Sequence, residues 1–279
     1  MRYFLPESVA EATAGLTEQN YQIIAGGTDF YPARADRPVR DDVLDISGLA
    51  ELRGIKVELG QTRIGALATW SDVARADLPA KSRGLQLASL EVGALQIQNA
   101  ATIVGNLCNA SPAADGVPPL LTLNAQIEIS AATGQRLMGL SDFILGNRRT
   151  VLASDEMVTA ILIPDDAPGA NSHFLKLGSR KYLVISFVMV ATLLEADDNG
   201  LIRQARVSVG ACSEVARRMD RLENDLIGQP LSQAGEIATA DHLTDLQPIS
   251  DIRASADYRL DAALEYIRRS LTACAEEMS

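Results

Sequence analysis

The stretch Ile23-Ile24-Ala25-Gly26-Gly27-Thr28-Asp29-Phe30 decides how the chain is read. An apolar run ends on paired glycines, the pattern of a strand giving way to a tight turn. Glycine has no Cβ and tolerates positive φ, so a ligand can come close to the main chain there. Successive N–H groups in such a turn can form a nest for an anion. A second glycine-bearing stretch lies further along: Thr102-Ile103-Val104-Gly105-Asn106-Leu107-Cys108-Asn109-Ala110-Ser111-Pro112-Ala113-Ala114-Asp115. It crowds together Thr102, Gly105, Asn106, Asn109, Ser111 and Asp115, a mixture that suits the polar tail of a nucleotide cofactor. Gly26-Gly27-Thr28-Asp29 is not G-x-G-x-x-G, so a Rossmann assignment has no support from it.

Taken together, the two stretches resemble the flavin-binding subunit of the molybdenum hydroxylases, the xanthine dehydrogenase and carbon monoxide dehydrogenase relatives. The family's first turn, AGGT/S-D/N, is matched by Ala25 to Asp29. Its second, T-I-G-G-N-x-x-x-A-S-P-x-x-D, is matched by Thr102, Ile103, Gly105, Asn106, Ala110, Ser111, Pro112 and Asp115. The resemblance implies an α+β fold. A PCMH (vanillyl-alcohol-oxidase-type) FAD-binding domain would occupy residues 1–168, in subdomains of about 1–56 and 57–168. A smaller α+β C-terminal domain, an antiparallel sheet with helices, would occupy 169–279. The resemblance also implies FAD held by Ala25, Gly26, Gly27, Thr28, Asp29 and Phe30 and by Thr102, Gly105, Asn106, Asn109, Ser111, Ala114 and Asp115. Lys176 and Ile185 fall where the family touches the flavin. Leu183 occupies a position that is acidic in some relatives, and a neutral residue there alters the field near the ring. Two departures stand out: Gln98 where the family usually has arginine, and Val104 where it often has glycine.

The likeness runs along almost the whole chain. Ile64-Gly65-Ala66-Leu67-Ala68-Thr69 matches I-G-A-x-x-T, and Leu140 to Ile144 resembles the segment that closes the first domain. Phe174-Leu175-Lys176-Leu177-Gly178-Ser179-Arg180 matches F-x-K-L-G-x-R, and Gly210 to Arg218 the G-A-C-S-x-V-A-x-R junction. Pro248 to Arg259 matches P-I-x-D-x-R-x-S-A-x-Y-R. Local patterns add elements. Pro6-Glu7-Ser8 before Val9, Ala10, Ala12 and Leu16 predicts a capped helix. Pro32 to Ala35 predicts another, its N-terminus favourable to a bound diphosphate. The apolar run Tyr182 to Leu194 predicts a buried strand and is too short to span a bilayer. Residues 165–171 form the polar break between the domains.

Composition narrows the function. The 279 residues carry a formal charge of −11, which repels polyanions at long range and argues against nucleic acid. Nothing at the N-terminus has the pattern of a signal peptide. Cys108, Cys212 and Cys274 lie far apart, so the sequence encodes no iron–sulfur or structural zinc site, and a reducing, cytoplasmic setting is expected. There is no Ser–His–Asp set, H-E-x-x-H or P-loop. His173 and His242 lie in neither turn, so the FAD is expected to be non-covalent. His173 is read as structural, and Cys108 as a small buried filler.

These features fit a chain whose cofactor carries the chemistry. By resemblance, a large molybdopterin-binding subunit oxidises the substrate and a small 2Fe–2S subunit relays electrons. The FAD of this chain passes them to NAD or another acceptor. A free-standing FAD oxidoreductase of the same fold and a redox-inactive nucleotide-binding assembly subunit are the alternatives. Valine at Gly26 or Gly105 is expected to leave folded protein with little flavin. Loss of Asp115 is expected to be milder.

Overall fold

The computed structural model describes all residues except Asp36, Leu59, Lys181, Tyr182, Leu183 and Ser279. The reading of Leu183 therefore lies outside the described residues. The chain opens with β1 (Tyr3–Phe4), α1 (Val9–Glu18), β2 (Gln22–Ile24) and β3 (Val43–Asp45). The three strands form a small parallel sheet in the order β1-β3-β2, with Ile24 opposite Asp45. Ser8 starts α1 because its Oγ accepts the Glu11 N–H at 3.1 Å. The Glu11 carboxylate in turn accepts the Glu7 N–H at 2.7 Å. Residues Pro32–Arg34 make only a 3₁₀ turn, not the predicted helix. Ala35, at φ 47, turns the chain out of helical geometry at once.

The second layer carries β4 (Ile55–Glu58), β5 (Gln61–Gly65), α2 (Trp70–Arg75), α3 (Arg83–Glu91), α4 (Leu95–Ala100), α5 (Ile103–Asn109) and α6 (Val117–Thr122). It continues with β6 (Gln126–Ala131), β7 (Gly134–Gly139), α7 (Leu140–Phe143), β8 (Ile144–Gly146), β9 (Arg149–Thr150) and β10 (Met157–Pro164). Five of these strands form an antiparallel sheet in the order β4-β5-β10-β6-β7. Strand β10 is central and buried along nearly its whole length, its run apolar except for Thr159, whose hydroxyl is satisfied by Glu128. The second glycine-bearing stretch contains a helix, α5, because Thr102 caps it: its Oγ1 accepts the Gly105 N–H at 3.0 Å. One core joins both layers, with Leu44, Trp70, Ile103, Leu107, Ile127 and Ile161 fully buried within it.

The C-terminal part has β11 (Asn171–Leu177), β12 (Val188–Ala196), β13 (Ile202–Gly210), β14 (Arg217–Arg218), α8 (Asp220–Leu226), α9 (Ala234–Ile237) and α10 (Ala256–Glu276). The strands form an antiparallel sheet in chain order. The strand predicted over Tyr182 to Leu194 instead runs Val188–Ala196; Tyr182 and Leu183 lie outside the described residues, and Val184 to Phe187 are not in a strand. Strand β12 is buried on both faces because α10 packs on one side while α3 and α6 of the preceding part reach it as well. Ala263, Ile267, Leu271 and Cys274 recur at helical spacing and make the buried stripe of α10.

The first turn is pinned against α4 by main chain alone. A Cβ on Gly26 would stand 1.9 Å from the Ala100 carbonyl oxygen and 2.7 Å from its carbon. Both neighbours are backbone, so no rotamer change relieves the clash. Gly26 thus has a packing role before any ligand arrives, so valine there is expected to disturb the fold as well as the cofactor. Gly26→Ala should lower the stability of the cofactor-free chain by roughly 3 kcal/mol, seen as a fall in urea midpoint. At Gly105 a Cβ meets only Thr102 Oγ1, at 2.8 Å, so Gly105→Ala should cost about 1 kcal/mol through the disturbed cap. Equal midpoints for the two variants would show that the crossing is not tight.

Candidate cofactor site

The two stretches meet across a cavity of about 1080 Å³. Its walls include Ala25, Gly26, Gly27, Thr28, Asp29 and Phe30 from the first, and Thr102, Gly105, Asn106 and Asn109 from the second. The meeting is built by hydrogen bonds around the start of α5. Ile103 N–H donates to Ala68 O at 3.1 Å, and Trp70 N–H to Ala101 O at 3.1 Å. A capping box in which Thr69 and Asp72 exchange bonds fixes the start of α2 beside it. Asn106 Oδ1 accepts the Gly116 N–H at 3.2 Å, fixing the chain that leaves the site.

The donors on these walls are largely unspent. Among the described residues, the N–H groups of Gly26, Gly27, Thr28, Asp29 and Phe30 find no hydrogen-bond acceptor, and neither does that of Val104 in the first turn of α5. Gly27 holds φ at 70, which permits this run of donors. Such a row of consecutive N–H groups beside a cavity is an anion nest. Arg34, on the cavity wall, already has partners. It donates to Asp41 and to Phe30 O, each at 2.7 Å, and to Gln22, and its guanidinium lies 3.6 Å from the centre of the Phe30 ring. It braces the turn from behind.

The remaining residues of the expected site are elsewhere. Ser111, Ala114, Asp115, Lys176 and Ile185 are not on the cavity wall. Asp115 forms a buried ion pair with Lys176 at 2.8 Å and accepts Ser186 Oγ at 2.9 Å. Lys176 also donates to Glu91 O at 3.1 Å. Burial raises the Asp115 carboxyl above its ordinary range, and the Lys176 charge offsets part of that rise. Ile185 is 57% exposed. Ser111 Oγ accepts the Ala113 N–H at 3.2 Å, a local turn bond.

Arg148 was missed entirely. It sits in the turn between β8 and β9 and reaches both glycine stretches, donating to Asp29 Oδ2 at 3.0 Å and to Asn109 Oδ1. Nothing in the run Gly146-Asn147-Arg148-Arg149 signals this, since the contacts depend on how the hairpin docks. The histidines are structural: His173 Nδ1 lies 3.3 Å from Glu277, and His242 Nε2 lies 3.0 Å from Asp225. Burial pushes the Cys108 thiol up to about 12, so it stays protonated and is a poor nucleophile. Among the described residues no group of three or more His, Cys, Asp or Glu is placed to hold a metal ion.

Comparison with known proteins identifies the architecture. Residues 1–166 match the model of the FAD binding domain in molybdopterin dehydrogenase, and residues 173–274 that of the CO dehydrogenase flavoprotein C-terminal domain. The chain belongs to this family of FAD-binding oxidoreductase subunits. It is 36% identical to the nicotinate dehydrogenase FAD-subunit of Eubacterium barkeri over 87% of this chain and 85% of that protein. It is 26% identical to the carbon monoxide dehydrogenase medium chain of Hydrogenophaga pseudoflava, over 97% and 96%. The structure of reconstituted CO dehydrogenase from Oligotropha carboxidovorans superposes with a TM-score of 0.89 at 26% identity, covering 99% of this chain and 98% of that one. The family's FAD suits the cavity on this structure's own terms. The volume accommodates a dinucleotide, and the unspent N–H row matches the acceptor-rich diphosphate. No helix among the described residues is long and apolar enough to cross a membrane.

The buried pairing of Asp115 adds a stability cost to its removal, apart from any effect on flavin content. Asp115→Asn strands a buried ammonium and should destabilise the chain by roughly 3–5 kcal/mol. Lys176→Met should be milder at low pH, because the Asp115 carboxyl can take up a proton. Without Lys176 its folded-state value rises further above the unfolded one, so the folded state binds more protons. The stability of Lys176→Met should therefore fall as pH rises above the ordinary carboxylate range. A flat pH profile in thermal melts of Lys176→Met, relative to the parent chain, would count against this assignment.

Proposed function

We propose that the chain is the electron-transfer subunit of a molybdenum hydroxylase complex, alongside a molybdopterin-binding large subunit and a 2Fe–2S small subunit. When bound, FAD supplies the redox chemistry, taking electrons from the 2Fe–2S partner and giving them to NAD or another acceptor. The observation that carries the reading is the run of unspent N–H donors from Gly26 to Phe30, facing α5 across the cavity. Also in its favour, the relatives are named as FAD or medium subunits.

In this reading Ala25 to Phe30, Thr102, Gly105, Asn106 and Asn109 bind and orient the dinucleotide. Ser111, Ala114 and Asp115 support the wall from behind, and Asp115 and Lys176 fix the join to the C-terminal sheet. By resemblance Lys176 and Ile185 would approach the flavin from beyond the cavity wall. Residues 1–168 form the FAD-binding domain and 169–279 the second domain. Purification from the native source should bring down molybdenum- and iron-containing partner chains, and recovery of the flavoprotein alone would overturn the complex.

The flavin is held without a covalent bond, because neither glycine stretch carries a histidine and Cys108 stays protonated. Acid precipitation of the loaded chain should leave the yellow colour in the supernatant. Flavin retained in the washed pellet would refute the non-covalent reading.

A further inference from the structure

The turn Asn147–Arg148 is held at both ends. Arg148 N–H donates to Ala110 O at 2.8 Å, and Asn147 N–H to Glu214 Oε1 at 3.1 Å. Arg148 itself adopts φ 54, a left-handed conformation that non-glycine residues adopt at a cost. Its guanidinium spans from Asp29 in the first turn to Asn109 at the end of α5, and Arg148 lines the cavity.

Asp29 poses an electrostatic problem. Its main chain is part of the row of free N–H donors suited to an anion, yet its side chain places a carboxylate on the same wall. Asp41, Asp42 and Glu156 also border the cavity, in a chain of net charge −11. Three cations border the cavity, Arg34, Arg40 and Arg148, and Arg34 is already committed to Asp41 and Phe30 O. Arg148 is the one that pairs with Asp29, at 3.0 Å.

We propose that Arg148 is the positioning residue that makes this wall receptive to a diphosphate ester, by masking the Asp29 carboxylate and tying it to Asn109. The inference rests on the cavity being the FAD site. The role is electrostatic and concerns ligand binding more than folding. The Arg148 and Asp29 side chains are 57% and 52% exposed, and ion pairs so open to solvent contribute little to stability.

The test uses the full-length cofactor-free chain, titrated with FAD, with ADP as a diphosphate probe and with riboflavin as a probe lacking phosphate. Arg148→Met should weaken FAD and ADP by about tenfold or more, a shift of one unit in log Kd. Riboflavin binding and the melting midpoint of the apo-chain should stay near parental values. Arg148→Lys should fall between, since it keeps the charge but not the rigid, planar reach of the guanidinium. Adding Asp29→Asn to Arg148→Met should recover most of the lost FAD affinity by removing the unmasked carboxylate. Unchanged FAD affinity in Arg148→Met would overturn the proposal. So would an equal loss for riboflavin and FAD with a lowered apo midpoint, because that pattern is the mark of a structural brace. Parental protein that binds no FAD would sink the cofactor reading itself, whereas parental binding with an indifferent Arg148→Met would sink this inference alone.

Discussion

The site depends on a crossing of two main chains. Gly26 passes so close to the carbonyl of Ala100 that no side chain fits between them. That contact sets the distance between the first turn and the start of α5. Everything placed on either side inherits it: the free N–H row, the capping threonine and the span that Arg148 bridges. Hydrophobic burial holds the layers together but is non-directional. It is the backbone approach that fixes where the two walls stand.

Much of this was legible in the sequence, because turn chemistry is local. The paired glycines after an apolar run, Ser8 before a helical pattern and the apolar stripe of α10 each signal their structure through neighbours in the chain. The second stretch was illegible as a helix, since its small polar residues hide the cap that Thr102 provides. Pro32 to Ala35 misled in the opposite sense: proline at a first helical position is permissive, and Ala35 ends the turn after three residues.

What the sequence hid were the long-range pairings. Asp115 lies within the second glycine stretch, where the sequence offers it as a cofactor contact and gives no sign of its ion pair. In the fold its carboxylate meets Lys176, sixty-one positions away, and the two sit at the join between the FAD-binding part and the C-terminal sheet. Only the docked arrangement of β11 against the end of that stretch reveals it. Arg148 is hidden for the same reason, its two acceptors lying 119 and 39 positions away. A charged residue in a hairpin turn is ordinary until the hairpin is placed.

The small parallel sheet has a further consequence. Its strands are only two or three residues long, yet β2 carries the first turn. Local opening free energy follows the number of packed and hydrogen-bonded residues, so this sheet belongs to the low-stability end of the molecule. The cofactor wall is therefore mounted on the part of the chain most prone to sub-global unfolding. In the empty chain, amide exchange in β2 and the turn is expected to be faster than in β10 or β12. A ligand that binds only the closed form slows it in proportion to its own saturation. Occupancy of the cavity and folding of the N-terminal segment are in this way one equilibrium.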